Sequence, residues 1–119
     1  MNRVFRLIAG IAAATALAAP AVAAPDGKNR KVTVVNISSQ TVRELYASPI
    51  TSKGWEEDLL GSRTLAAGAS IVANVDNGTD QCYYDLKAVL ADGKAVEQRN
   101  TNVCAVSKFV VGDSGATTQ

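Results

Sequence analysis

Groups able to do chemistry are few in this chain, and most of them are carboxylates. Glu56, Glu57 and Asp58 stand together in "GWEEDLLG", while Asp76 and Asp80 flank the turn formers of "DNGTD". Loops at one end of a β-sandwich can gather such oxygens around Ca²⁺, a hard cation that takes about six to eight oxygen ligands. The spacing matches no EF-hand loop. A local reading is the stronger one: Ser52 or Gly54 starts a single helical turn, the acids occupy its first turn, where they suit the dipole, and Gly61 ends it. Trp55 and Leu59 then stand at i and i+4 on one face and cover the open end of a core. This makes "SPITSKGWEEDLLGSR" a structural corner, with Trp55, Leu59 and Leu60 inward and the three acids solvated. Trp55→Ala would then cost roughly 3–5 kcal/mol. The competing reading makes Trp55 a recognition residue.

Nucleophilic and metal chemistry find little support. The chain has no His, so the commonest general base at neutral pH and the commonest metal ligand are missing. Its two cysteines, Cys82 and Cys104, are expected to be oxidised, which leaves no thiolate nucleophile or zinc ligand. No G-x-S-x-G elbow, S-x-x-K motif, Walker loop or G-x-G-x-x-G occurs. The expectation is a protein that is not an enzyme and carries no cofactor. Tyr83 and Tyr84 point to opposite faces of one strand, so one is core and the other a possible recognition residue beside Trp55. "NIS" and "NGT" match the glycosylation sequon, but the Ala-rich leader looks bacterial, and "NGT" reads as a turn.

The elements that must position these residues read as strands. "KVTVVNI" (31–37), "TVRELYAS" (41–48), "IVANV" (71–75), "CYYDLKAVLA" (82–91), "KAVEQRNTNVC" (94–104) and "SKFVVG" (107–112) are rich in β-branched residues or alternate. Turn signals separate them, and no mature segment holds a long apolar period of 3.6. The expected fold is all-β, a small antiparallel β-sandwich of about six strands. The first two strands suggest a hairpin. Asp92-Gly93 marks another. With Asp92-Gly93-Lys94 as its loop, Leu90 faces Val96 and Cys82 faces Cys104, near disulfide reach. The alternative is a bond that crosses between sheets. The strand after Gly93 has no convincingly apolar face and is expected at or near an edge.

The first residues are not part of that fold. Arg3 and Arg6, an apolar run from Leu7 to about Ala19, and the A-x-A site Ala21-Val22-Ala23 are the regions of a Sec-type signal peptide (residues 1–23). The run falls short of the ~20 strongly apolar residues a membrane span needs. Cleavage after Ala23 leaves 96 of the 119 residues, enough for one domain. Losing Arg3 and Arg6 turns 12 basic against 11 acidic residues into 10 against 11. A net charge near −1 provides no footprint for nucleic acid or anionic membrane. Residues 24–30 are expected as a flexible leader, 31–112 as the sandwich and 113–119 as a flexible tail. Two cysteines in an exported domain imply one disulfide.

Leu45 to Pro49, Trp55, Asp58 to Gly61, Cys82 to Ala88, Asp92-Gly93 and Asn102 to Cys104 together resemble a family of small, uncharacterised exported proteobacterial proteins with W-x-x-D-L-L-G and C-x-Y-D-L motifs. Some of these carry a name borrowed from argininosuccinate lyase. Such a lyase is a much longer helical chain, and nothing in these 96 residues matches its site. The resemblance implies an exported single domain and supplies no activity, cofactor or catalytic residue. The function expected is binding, or a structural role in the envelope, in the periplasm or the medium, with an unknown protein or envelope ligand as partner. A Ca²⁺-dependent module and a periplasmic inhibitor of a hydrolase are the alternatives.

Overall fold

A computed structural model describes residues 24–119; the signal-peptide assignment lies outside them. Seven strands form two mostly antiparallel sheets: β1 (Lys31–Asn36), β2 (Val42–Pro49), β3 (Ser70–Asn74), β4 (Tyr83–Leu90), β5 (Ala95–Asn102), β6 (Lys108–Val111) and β7 (Ala116–Thr118). One sheet has the order β3-β1-β6-β7 and the other β2-β4-β5. Among the described residues there is no helix, so none is long and apolar enough to cross a membrane.

Alternation along the strands builds the core. Val32 and Val34 of β1, Ile71 and Ala73 of β3, and Phe109 and Val111 of β6 turn inward from the first sheet. Leu45 and Ala47 of β2, Leu86, Ala88 and Leu90 of β4, and Val96 of β5 answer them from the second. Successive strand residues point to opposite faces, so each strand donates one face to the core and keeps the other for water. Leu60, Leu65 and Val103 fill in from the connections.

Four expectations are corrected. β1 and β2 do not form a hairpin: β1 pairs antiparallel with β3 and parallel with β6, while β2 joins β4 in the other sheet. The crossing between sheets is held by Asn36, fully buried, whose Nδ2 donates to the carbonyls of Gln40 (2.8 Å) and Leu65 (3.0 Å). Its Oδ1 accepts from the Ser38 amide and hydroxyl, so the "NIS" asparagine ties the turn that follows it to the backbone at Leu65.

The tail is not loose. β7 lies within residues 113–119 and pairs antiparallel with β6. Nor is the leader: Ala24 and Arg30 are buried, and the Arg30 guanidinium grips the Asp26 carboxylate at 2.9 and 2.7 Å.

The β4–β5 register is also shifted from the expected one. The tip is Ala91-Asp92-Gly93, closed by the Leu90 amide on the Lys94 carbonyl (2.8 Å), with Gly93 at a φ of 91° that favours glycine. Val96 therefore faces Ala88 and not Leu90. Farther along, the register slips again opposite Asp85, where Arg99 and Asn100 share one partner and Asn100 takes a φ of 54°. The bulge puts Thr101 and Val103 in the core and leaves Glu97 and Arg99 outside. Beyond it the Val103 amide donates to the Cys82 carbonyl (2.8 Å), and a turn swings Cys104 to a Cα–Cα distance of 5.4 Å from Cys82. The two are bonded, closing the open end of the hairpin. β5 is an edge strand of its sheet.

Candidate functional site

The corner formed by residues 48–63 is built differently from a helical turn. Asp58 Oδ1 accepts from the Leu45 amide (2.9 Å) and the Leu60 amide (3.0 Å), and the Leu59 amide donates to the Leu45 carbonyl (2.7 Å). Ser48 Oγ accepts from the Glu56 amide (2.8 Å). These bonds satisfy backbone groups along the outer edge of β2, which a helical turn would leave open. Asp58 is thus a structural acid and not a solvated one, while Glu56 and Glu57 are exposed.

The same bonds decide where Trp55 goes. Leu60 enters the core and Leu59 packs against it, but Trp55 lies over the outer face of the β2–β4–β5 sheet, half-buried. Its ring is 6.2 Å from that of Tyr46, with 47° between the planes. Lys87 Nζ stands 4.6 Å from the Trp55 ring centre and 4.9 Å from that of Tyr46, and the Arg99 guanidinium carbon lies 5.0 Å from Trp55. One tryptophan therefore meets two cations on a sheet face that is otherwise polar. Its supposed place in the core is taken by Phe109, Tyr84 and the aliphatic strand residues.

Acids fix the arginine and the tyrosine beside it. Arg99 Nε donates to Glu97 (2.8 Å) and Nη1 to Asp85 (3.2 Å); Asp85 also accepts from the Asn100 amide (2.9 Å), so the bulge and the arginine share one anchor. Glu97 first, then Asp85, raises the Arg99 pKa above its ordinary value. The Tyr46 hydroxyl donates to Glu44 at 2.6 Å, and this bond, followed by desolvation, pushes its pKa up to about 12. Absorbance titration of wild type against Tyr46→Phe should show a phenol ionising near pH 12, and a difference spectrum rising near pH 10 would contradict it.

Beside Trp55 lies an open cleft of about 300 Å³, lined among others by Pro49, Ser52, Lys53, Asp85 and Arg99. Ile50 and Tyr83, both 46% exposed, adjoin it where the Ile50 amide donates to the Tyr83 carbonyl (3.1 Å). The split between the tyrosines is as expected: Tyr83 is outside, Tyr84 fully buried. Tyr84 donates its hydroxyl to Asn77 Oδ1 (2.9 Å), which also accepts from the Thr79 amide and hydroxyl in the "NGT" turn. It is therefore a core residue and cannot meet a partner.

The acidic loops do approach one another. Glu56, Glu57, Asp76 and Asn77 line a second open cleft of about 210 Å³. Among the described residues, however, no three His, Cys, Asp or Glu side chains stand close enough to hold a metal ion. The oxygens are already engaged: Asp58 by two amides, and Asp76 by the amides of Ala24 (3.0 Å) and Gly78 (3.0 Å). Asp80 is exposed and lines neither cleft.

The partners of Trp55 were beyond the reach of motif reading, because Tyr46, Lys87 and Arg99 come from three different strands. Strand parity alone could have put Tyr46 and Lys87 on outward positions. Neither a family model, nor a curated protein, nor a solved structure matches this chain.

Proposed function

We propose that the protein is an exported, non-enzymatic binding protein of the periplasm or medium. It engages a protein partner through the outer face of the β2–β4–β5 sheet, around Trp55. The observation that carries this reading is a half-exposed tryptophan in contact with both Lys87 and Arg99 at the rim of a cleft. Aromatic and arginine side chains at the centre of a patch are the residue types that dominate binding energy. The absence of His and the closure of both cysteines into one bond support a role without catalysis. The mature charge near −1 favours no nucleic-acid partner.

Replacing Trp55 by Ala should then cost stability only about 1 kcal/mol, the scale of cation–π contacts at an exposed site plus partial burial. Partner capture from an envelope extract by the immobilised mature protein should be lost in Trp55→Ala. It should persist in Ile37→Ala, which removes an apolar residue 65% exposed and outside this face. Capture that survives Trp55→Ala, or a Trp55→Ala cost of 3 kcal/mol or more, would return Trp55 to a structural role.

A further inference from the structure

The segment at residues 24–30 ends in a buried charge cluster with an imbalance. The side chain of Arg30 is fully buried, and its guanidinium faces two carboxylates: Asp26, bonded through both oxygens, and Asp76, with Nη1 3.7 Å from Oδ2. The Asp76 side chain is only 7% exposed. One cation against two anions leaves an excess negative charge; Asp26 keeps some contact with water but Asp76 keeps little, a costly arrangement for Asp76 unless another positive group joins it. Lys28 does not supply it, since its side chain is exposed. The atom that does approach Asp76 is the backbone nitrogen of Ala24, 3.0 Å from Oδ2, in a residue only 5% exposed.

Ala24 is also the residue that cleavage at the A-x-A site would place first. We propose that Asp76 is the receptor for the α-ammonium group of Ala24, so that removal of the leader completes the charge cluster and locks the mature fold. The inference rests on the exported reading above. Hydrolysis of the Ala23–Ala24 peptide bond by a signal peptidase adds the hydroxyl of water to the Ala23 carbonyl carbon. The nitrogen leaves as an amine and takes up a proton at neutral pH. An amide that donated one hydrogen bond becomes a cation in the same place, and the cluster then holds two positive and two negative groups.

The pH dependence has a definite sign. A carboxylate partner raises the α-amino pKa in the folded state above its ordinary value of about 7.7–8.0. The stabilisation is therefore complete below about pH 7.5 and lost as pH climbs through the raised value. The other charged or titratable groups at the cluster are Asp26, Lys28, Arg30 and Tyr84, with Glu56 and Glu57 across the cleft that Asp76 also lines. Hydrogen bonding from Arg30 holds Asp26 well below the usual carboxylate range, and burial pushes the Tyr84 phenol up, so neither changes charge in that window.

The test uses proteins of defined start. One begins at Ala24, released from a fusion by a protease that leaves no extra residue; the other begins at Ala21 and keeps Ala21-Val22-Ala23. At pH 7 the first should unfold roughly 5 °C higher, and the gap should close above about pH 9. In the Asp76→Asn background it should vanish. Equal midpoints, or a gap that persists in Asp76→Asn, overturn the proposal. An NMR titration of the Ala24 amine provides a second readout that does not depend on the variant folding: a raised pKa supports the ion pair, and an ordinary one overturns it. Intact mass of the exported protein tests the processing step separately, and a chain beginning elsewhere than Ala24 overturns that step while the defined proteins still report on the ion pair.

Discussion

Arg30→Met should lower the unfolding free energy by about 3–4 kcal/mol, toward the lower end of what breaking a buried ion pair costs because Asp26 keeps some contact with water. The arginine joins the leader segment to the start of β4. It bonds Asp26, its Nε donates to the Gln81 carbonyl at 2.7 Å, and Nη2 lies 3.8 Å from the sulfur of Cys82. Methionine fills much of the same volume but leaves the Gln81 carbonyl and the Asp26 carboxylate without their guanidinium donor and Asp76 without its countercharge, and these uncompensated groups account for most of the loss. Arg30→Lys keeps the charge and loses the paired geometry, so it should fall between the two. Urea unfolding measures all three proteins. An Arg30→Met unfolding free energy within a few tenths of a kcal/mol of wild type would mean that the Arg30 contacts contribute nothing to stability.

Opening the Cys82–Cys104 bond should have the next largest effect. The cysteines are 22 residues apart, and closing a loop of that length restricts the unfolded chain enough to be worth about 3 kcal/mol. A Cys82→Ala, Cys104→Ala variant should show that loss and a steeper dependence on urea, because its unfolded state expands further. The bond and Arg30 touch, so their losses should not add: the triple variant should lose less than the two separate losses together. Strict additivity would show that Arg30 packs against the disulfide without depending on it.

How much of this was legible in the sequence differs from segment to segment. β4 was plain because its period of two runs unbroken from Tyr83 to Leu90, with one face apolar throughout. The cysteine pairing followed from there being two cysteines. β7 was hidden because Ala-Thr-Thr is too short to carry a pattern, and it is a strand only because β6 offers it an edge. Residues 24–30 read as a loose leader for a related reason: Arg30 finds its partners Gln81 and Cys82 more than fifty residues away, which local composition cannot reveal.

The face around Trp55 was missed through two local rules that tertiary contacts overrode. An i, i+4 spacing of Trp55 and Leu59 favours a helical turn, yet Asp58 gains more by bonding the Leu45 and Leu60 amides with the chain laid along β2. Along β5, simple alternation put Thr101 and Val103 on the same side as Arg99. The extra residue at Asn100 reverses the sense, a slip that shows only in the strand register and in the left-handed φ there.

The parallel pairing of β1 with β6 also sets the order of events as the chain emerges. A chain delivered N-terminus first presents β1 early, but the strands that flank it lie at residues 70–74 and 108–111. Until Val111 has appeared, β1 has a neighbour on one side only, and Val32 and Val34 lack the Phe109 layer beside them. Closing so long a loop is slow relative to forming a hairpin. The β4–β5 hairpin, with its neighbours in sequence, can form first and bring its cysteines together before the other sheet exists. Nascent chains truncated before residue 108 should consequently be digested readily by protease while already holding the crosslink.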